Sequence, residues 1–262
     1  MSTKCTVCDG TTWKRVERDG IVRVERCSCR AGDATGSSAA SVRQARIPTR
    51  YDECAFDDQS GGKPFDVHPK LAPAFKIAQK WADEFPDVEA GLLFSGPPGV
   101  GKTHLAVAIC RRVLVERRIR ASVRFADFRA LLREIKGSYS PDTSITESAV
   151  LKPVLQSDLL VLDDLGGESS TLWVFDTLFY ILNYRYNERK LTVITTNFTD
   201  RVRAGQTGSP SPGFGKRPPT EEYTLSERIT MRLRSRLYEM CRDVTMEGDD
   251  YRMNILQANF KG

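Results

Sequence analysis

The segment Gly91-Leu-Leu-Phe-Ser-Gly96-Pro-Pro-Gly-Val-Gly101-Lys102-Thr103 limits the possible folds of this chain more than any other stretch. A short apolar run passes into a glycine-rich turn, and Leu105, Ala106, Ile109, Val113 and Leu114 follow at helical spacing. Glycines let several backbone N–H groups of such a turn point inward, and the positive end of the next helix adds to their attraction for an anion. The G-x-x-x-x-G-K-T spacing is that of a phosphate cradle. Gly96, Pro97, Pro98, Gly99, Val100, Gly101, Lys102, Thr103 and His104 are therefore candidate nucleotide-binding residues. Lys102 would reach the β/γ-phosphates, and the Thr103 hydroxyl would ligate Mg²⁺.

From about Arg50 onward, short apolar strands alternate with amphipathic helices, the pattern of an α/β sheet covered on both faces. The pattern predicts helix 73–85, strand 91–95, strand 121–125, helix 127–136 and strand 159–162, then helix 171–189 and strand 191–195. Ser144-x-x-Glu147 and Thr224-x-x-Glu227 read as capping boxes, the second opening a helix that runs to about Met240. Residues 203–222, with four prolines and four glycines, read as an exposed, mobile loop.

Two of these strands end in residues suited to phosphate chemistry. Asp158-Leu-Leu-Val-Leu162 runs into Asp163-Asp164, the pattern of the strand beside a phosphate-loop strand. Asp163 would help hold Mg²⁺, and Asp164 could orient or deprotonate an attacking water. Alone, a strand ending in two acids is often a solvated turn. Some 60 residues after the cradle the pairing is more telling. Leu191-Thr-Val-Ile-Thr195 ends in Thr196-Asn197, and an amide at the carboxyl edge of a sheet sits where ligands bind. Asn197 could hold the attacking water, or it could be a turn asparagine.

These three elements, in this order and spacing, resemble the Walker A, Walker B and sensor 1 motifs of AAA+ ATPases. Finer features resemble the DnaC/IstB-like group: Ile47-Pro-Thr-Arg-Tyr51-x-x-Cys54-x-Phe56, Leu182-Asn-x-Arg-Tyr186-Asn-Glu, Thr195-Thr-Asn197, Leu225-Ser-Glu-Arg228-x-x-x-Arg232-Leu-Arg234 and Tyr251-Arg252. The resemblance spans roughly residues 45–256. It implies an AAA+ P-loop ATPase over 50–262, with a five-stranded parallel sheet and helices on both faces. It also implies an arginine finger for a neighbouring subunit's nucleotide, with Arg232 the best match and Arg228 the second, and a sensor 2 contact from Arg252. Arg228, Arg232 and Arg236 recur at i, i+4 beside an apolar face of Leu225, Ile229, Leu233 and Leu237, which also suits a merely solvated basic face. Many AAA+ proteins carry Glu where this chain has Asp164, so water activation is expected to be slow or vestigial.

Four of the seven cysteines fall in the first 29 residues, as Cys5-x-x-Cys8 and Cys27-x-Cys29 joined by a segment that alternates around an Asp19-Gly20 turn. Four thiolates suit tetrahedral Zn²⁺, with redox pairs or free thiols as the alternatives. Residues 1–30 thus read as a four-cysteine zinc module and 31–49 as a linker rich in small and polar residues. Some DnaC-like loaders place a zinc module before the ATPase domain. Cys54, Cys110 and Cys241 read as buried small hydrophobes.

The net charge of +5 names no partner, but its distribution is uneven. Residues 111–136 hold nine Lys/Arg against three Asp/Glu, and 201–242 nine against four. In DnaC-like and initiator ATPases an insertion after the second strand helps line a channel for single-stranded DNA. Arg129, Arg133 and Lys136 would track phosphate there, with Tyr139 and Trp173 as stacking platforms or simply as core and surface residues. No apolar run approaches the ~18 residues of a membrane span. The start MSTKCTVCDG lacks a secretory layout, so a cytoplasmic protein is expected. The resemblance implies a loader of the replicative DNA helicase that self-associates on ATP and single-stranded DNA. The alternatives are an IstB-like transposition helper and a non-hydrolysing nucleotide-gated adaptor.

Overall fold

A computed structural model of the chain describes residues 13–18, 21–26, 38–57, 63–65, 68–168, 171–200 and 224–254. Strands β1 (Trp13–Arg18) and β2 (Ile21–Arg26) pair antiparallel with Arg18 opposite Ile21. Helix α1 (Ser38–Gln44) follows. It begins inside the segment expected to be a linker, and Ala45 and Ile47 just after it are buried in the main core. Small residues that suit a linker equally suit close helix packing, so composition could not separate the two.

The short strands β3 (Cys54–Ala55) and β4 (Lys63–Pro64) pair parallel and precede α2 (Ala72–Glu84). Then come β5 (Gly91–Ser95), α3 (Lys102–Arg111) with a π-helical turn over Arg112–Glu116, β6 (Val123–Asp127), α4 (Phe128–Gly137) and α5 (Glu147–Gln156). The chain continues through β7 (Leu159–Leu165), α6 (Leu172–Asn187), β8 (Leu191–Thr196), α7 (Leu225–Ile229), α8 (Met231–Met240), β9 (Cys241–Thr245) and α9 (Tyr251–Asn254). No helix among the described residues is long and apolar enough to cross a membrane.

The main sheet has five parallel strands in the order β6-β7-β8-β5-β9. All five residues of β5 are buried, in keeping with its interior place between β8 and β9. Alternation splits the core: Leu92 and Phe94 face α2 and α3, whereas Leu93, Leu160, Leu162 and Ile194 face the layer of α4 to α8.

Several details differ from the sequence expectations. The strand carrying Asp163 is not beside the phosphate-loop strand, because β8 lies between them. The strand predicted over 121–125 lies two residues later, at 123–127. Thr146, not Ser144, caps α5, its hydroxyl accepting from Ala149 N at 3.2 Å. The single helix predicted from Thr224 to Met240 is broken at Thr230, whose φ of 69° ends α7 and starts α8. That break puts Arg228 on a different helix from Arg232 and Arg236, although Leu225, Ile229, Leu233 and Leu237 are all buried. Residues 203–222 lie outside the described residues. Cys54, Cys110 and Cys241 are buried, as expected of small hydrophobes.

Candidate nucleotide-binding site

The carboxyl ends of β5, β7 and β8 open into a cavity of about 680 Å³, lined also by Pro48, Arg50 and Tyr51. The glycines of the loop after β5 hold its shape. Gly96 has φ 149°, and a side chain there would run into the carbonyl of Met246, whose N–H binds Ser95 O at 2.7 Å. Gly101, at φ 95°, has no room for a side chain beside the Phe65 ring. Lys102 opens α3 and is buried, its Nζ donating to Gly96 O at 2.9 Å and Pro97 O at 2.7 Å. Burial lowers its pKa to about 8, against the pull of the Asp163 and Asp164 charges.

Asp163 sits at the cavity floor. Its Oδ1 accepts from Thr103 Oγ1 at 2.9 Å and from Thr195 Oγ1 at 2.6 Å. Burial pushes its carboxyl above the usual range, with smaller pushes from Asp127 and Asp164, while the two hydroxyls oppose the shift. The Thr195 hydroxyl also accepts from the Asp164 backbone N–H at 3.0 Å, so one side chain of β8 fixes both acids of β7. The register slips between Leu162 and Leu165, and Asp164 takes a left-handed φ of 57°. Asn197 Nδ2 reaches Asp164 Oδ1 at 2.8 Å. Lys102, Thr103, Asp163, Asp164 and Asn197, read from three separate motifs, thus line one cavity.

His104 also lines the cavity, but its Nε2 lies 3.0 Å from Ala55 O and its ring meets Phe65 edge-on, so its side chain ties β3 to α3. Arg252 is exposed at the cavity mouth on α9. Asp250 Oδ1 accepts from the N–H groups of Arg252 and Met253 at 2.9 and 3.3 Å, and Tyr251 N donates to Gly99 O at 3.3 Å. The turn that carries Arg252 is therefore anchored to the phosphate loop.

Sequence reasoning assigned no role to Tyr51, Phe65 or Leu71, which with Val100 of the glycine loop add apolar surface to the cavity lining. Tyr51 is covered by the Arg50 guanidinium, 4.4 Å above its ring and bonded to its hydroxyl. Burial and the Asp163 charge raise the Tyr51 phenol, with Arg50 and Arg252 pulling the other way. Such a wall suits a planar base. The run Ile47-Pro-Thr-Arg-Tyr51 was visible as a resemblance, but nothing in its composition points to a ligand.

The remaining candidates divide. Arg228 is held within its own chain, its guanidinium 4.8 Å over the Phe198 ring and donating to Glu168 O at 3.4 Å. Arg232 is exposed. Arg129, expected to track DNA, lies 3.9 Å from Asp164 and donates to Gly167 O. Lys136 Nζ stands 4.7 Å over the ring of Trp173, while Arg133 and Tyr139 are exposed on the same helix or just beyond it. Part of the basic run at 111–136 is structural: Arg111 donates to Asp52 O, Arg112 pairs with Asp83, and Arg117 binds Ala82 O and Phe85 O. Cys5, Cys8, Cys27 and Cys29 lie outside the described residues, among which no cluster of His, Cys, Asp and Glu is arranged to hold a metal.

Residues 56–201 match the family of IstB-like ATP binding proteins. The chain is 29% identical over 147 residues to the replicative helicase loader DnaC of Buchnera aphidicola from Acyrthosiphon pisum, a match that spans 56% of each protein. It is 26% identical over 221 residues to an ATP-binding protein in an insertion sequence of Mycobacterium tuberculosis, covering 84% of this chain and 76% of that one. The crystal structure of a DnaC helicase loader superimposes with a TM-score of 0.57 at 30% identity, covering 76% of this chain and 99% of the other.

Proposed function

The chain belongs to the family of IstB-like ATP-binding proteins, and from that premise we propose that it is an ATPase that loads a replicative DNA helicase onto single-stranded DNA. The observation that carries the catalytic part is the bonded series Thr103–Asp163–Thr195–Asp164–Asn197 across the cavity floor. Triphosphate would lie along the glycine loop, with Lys102 exchanging its two carbonyl partners for phosphate oxygens. The base would rest against Tyr51. Thr103 and Asp163 are the groups that would hold Mg²⁺; a hydroxyl and a carboxylate, with other positions left to water and phosphate, fit its preference. When bound, Mg²⁺ offsets negative charge on the β- and γ-phosphates. Asp164 would accept the proton of the attacking water, Asn197 would orient both, and Arg232 would complete a neighbouring subunit's site.

Loading, rather than ATP hydrolysis alone, is supported by the match to nearly all of a DnaC loader structure. Cys5, Cys8, Cys27 and Cys29 would hold a structural Zn²⁺, and that module or the segment after it would dock the helicase; Arg133, Lys136, Tyr139 and Trp173 would meet single-stranded DNA. A second reading, an ATPase that assists a transposase on duplex DNA, is favoured by the longer match to the insertion-sequence protein.

A pull-down with the cognate replicative helicase, with and without ATP, separates the two. Retention that depends on nucleotide supports loading; no retention under either condition overturns it. ATP turnover indistinguishable from a Lys102→Ala control, with and without single-stranded DNA, removes the enzyme claim and leaves a nucleotide-gated adaptor. Well under one zinc per purified chain refutes the metal.

A further inference from the structure

A second cavity of about 410 Å³ lies on the other side of β6, lined by Arg46, Arg124, Glu134, Ser138, Thr143 and Val150 among others. It lies apart from the first, and no residue lines both. Its centre is Arg124. The neighbouring strand residues Val123 and Phe125 turn into the core with α2 and α3, so alternation sends the Arg124 side chain to the opposite face. There it is 93% buried (7% exposed), and its Nε has no hydrogen-bond partner among the described residues.

A buried guanidinium Nε that lacks a partner is costly, and such a group normally finds an acceptor. The acidic residue at hand does not supply one. Glu134 is engaged by Arg46 at 3.1 Å, and Arg46 holds a left-handed φ of 56° just after α1. The cavity therefore presents two guanidiniums and one carboxylate that is already paired. Burial and the Arg46 charge both depress the Arg124 pKa, opposed by Glu134, the response of a cation short of negative charge. Ser138 and Thr143 add hydroxyls to the wall, and Ile145, Val150 and Pro153 add apolar surface.

We propose that this cavity is a second ligand site, one that takes a terminal phosphate group on Arg124 and Arg46. Depth selects the chemistry. A phosphodiester within a strand carries a substituent on both sides and cannot descend to a guanidinium buried this far. A phosphate monoester can, and its oxygens match the planar fork of an arginine. The volume suits a ligand the size of a mononucleotide. The monoester could belong to a free mononucleotide or to the 5′ end of a DNA strand. The site is independent of the ATPase reading, since none of its residues takes part in it.

Calorimetric titration of the full chain carrying Lys102→Ala, which silences the phosphate loop, tests the assignment. The probes are thymidine 5′-monophosphate, thymidine, succinate, and short oligothymidylates with either a 5′-phosphate or a 5′-hydroxyl. The expected result is one saturable site for the monophosphate, none for thymidine, and an affinity lower by roughly tenfold or more in Arg124→Met. Arg46→Gln, an exposed change, should weaken it in the same direction. Tighter binding of the 5′-phosphorylated oligomer than of the monophosphate would identify a DNA end as the source. The reverse order would identify a free nucleotide. Equal binding of succinate, or of thymidine, overturns the phosphate assignment, and so does an affinity unchanged by both arginine substitutions. Should Lys102→Ala not fold, the otherwise unsubstituted chain serves, with Arg124→Met expected to remove one of two binding steps and loss of neither overturning the site.

Discussion

The side-chain amide of Asn197 donates to Oδ1 of Asp164 across 2.8 Å, joining the ends of β8 and β7 where the register between them slips. Apart from this bond, the Asp164 carboxylate has the distant Arg129 guanidinium at 3.9 Å. Asn197 thus orients the Asp164 carboxylate. Asn197→Ala should lower ATP turnover about tenfold to a hundredfold, the range for a misplaced general base. Nucleotide affinity should change little. Parallel turnover assays and nucleotide titrations check this; equal losses in both would make Asn197 a binding group instead.

Asp164 sits at φ 57°, a region in which Asp is tolerated better than Glu. The shorter acid is therefore matched to its backbone, and lengthening it has a conformational cost. Asp164→Glu is expected to destabilise the fold by roughly 1 kcal/mol without a clear gain in turnover. Asp164→Asn should abolish hydrolysis and leave binding intact. A faster and equally stable Glu variant in denaturation and turnover assays would show that backbone strain does not decide this position.

Lys102 gives a pH dependence of defined sign. Burial places its pKa near 8 in the free protein, and bound phosphate oxyanions would raise it. Above about pH 8 the complex then holds more protons than the free protein, so affinity must fall as pH rises. Nucleotide affinity measured from pH 7.5 to 9.5 should decline toward tenfold per unit. Lys102→Arg, which keeps its charge, should flatten whatever binding it retains. An affinity flat over the same range would place the Lys102 proton outside the binding equilibrium.

Arg228 and Arg232 should fail differently. Arg228 stacks on Phe198 and packs close to Gly166, so Arg228→Ala is expected to lower stability by about 0.5–1 kcal/mol. Arg232 is exposed on the separate helix α8, and Arg232→Ala should leave the melting temperature unchanged while suppressing turnover. Mixing it with Lys102→Ala should restore part of the activity, since each chain would supply what the other lacks. Mixtures no more active than the sum of their parts would rule out an Arg232 that acts in trans.

The polar part of the cavity was legible because its residues follow apolar runs. β5, β7 and β8 are buried along almost their whole length, and each hands its polar residues to one edge of the sheet. The apolar part was not legible, since Tyr51 and Phe65 come together with Val100 only through the fold. β9 escaped notice because its middle residues, Arg242 and Asp243, are exposed and it follows α8 without a turn. The break at Thr230 left no trace in the apolar spacing, which continues in phase from Ile229 to Leu233. Strand order was inaccessible for the same reason: periodicity reports which face is buried, not which neighbour covers an edge.

Arg185 was seen as part of a resemblance, and the structure supplies its reason. It is fully buried, and its guanidinium donates to Val154 O, Leu155 O, Ser157 O, Leu191 O and the Thr192 hydroxyl, at distances from 2.6 to 3.1 Å. One side chain on α6 thereby closes the end of α5 and the start of β8, the strand that delivers Thr195 and Asn197. Burial lowers its pKa to about 10, opposed by nearby charge that includes Asp158, so it remains a cation at neutral pH. Arg185→Met would keep most of the volume and leave three buried carbonyls and one part-buried carbonyl without this donor. That should cost about 3–5 kcal/mol, read as a lower denaturant midpoint at constant slope. Arg185→Lys retains the charge but cannot fork to so many acceptors, so it should recover only part of the loss. Because the site depends on β8, turnover in the Met variant should fall at temperatures where most molecules remain folded. Wild-type stability in Arg185→Met would mean that water replaces the guanidinium at no cost.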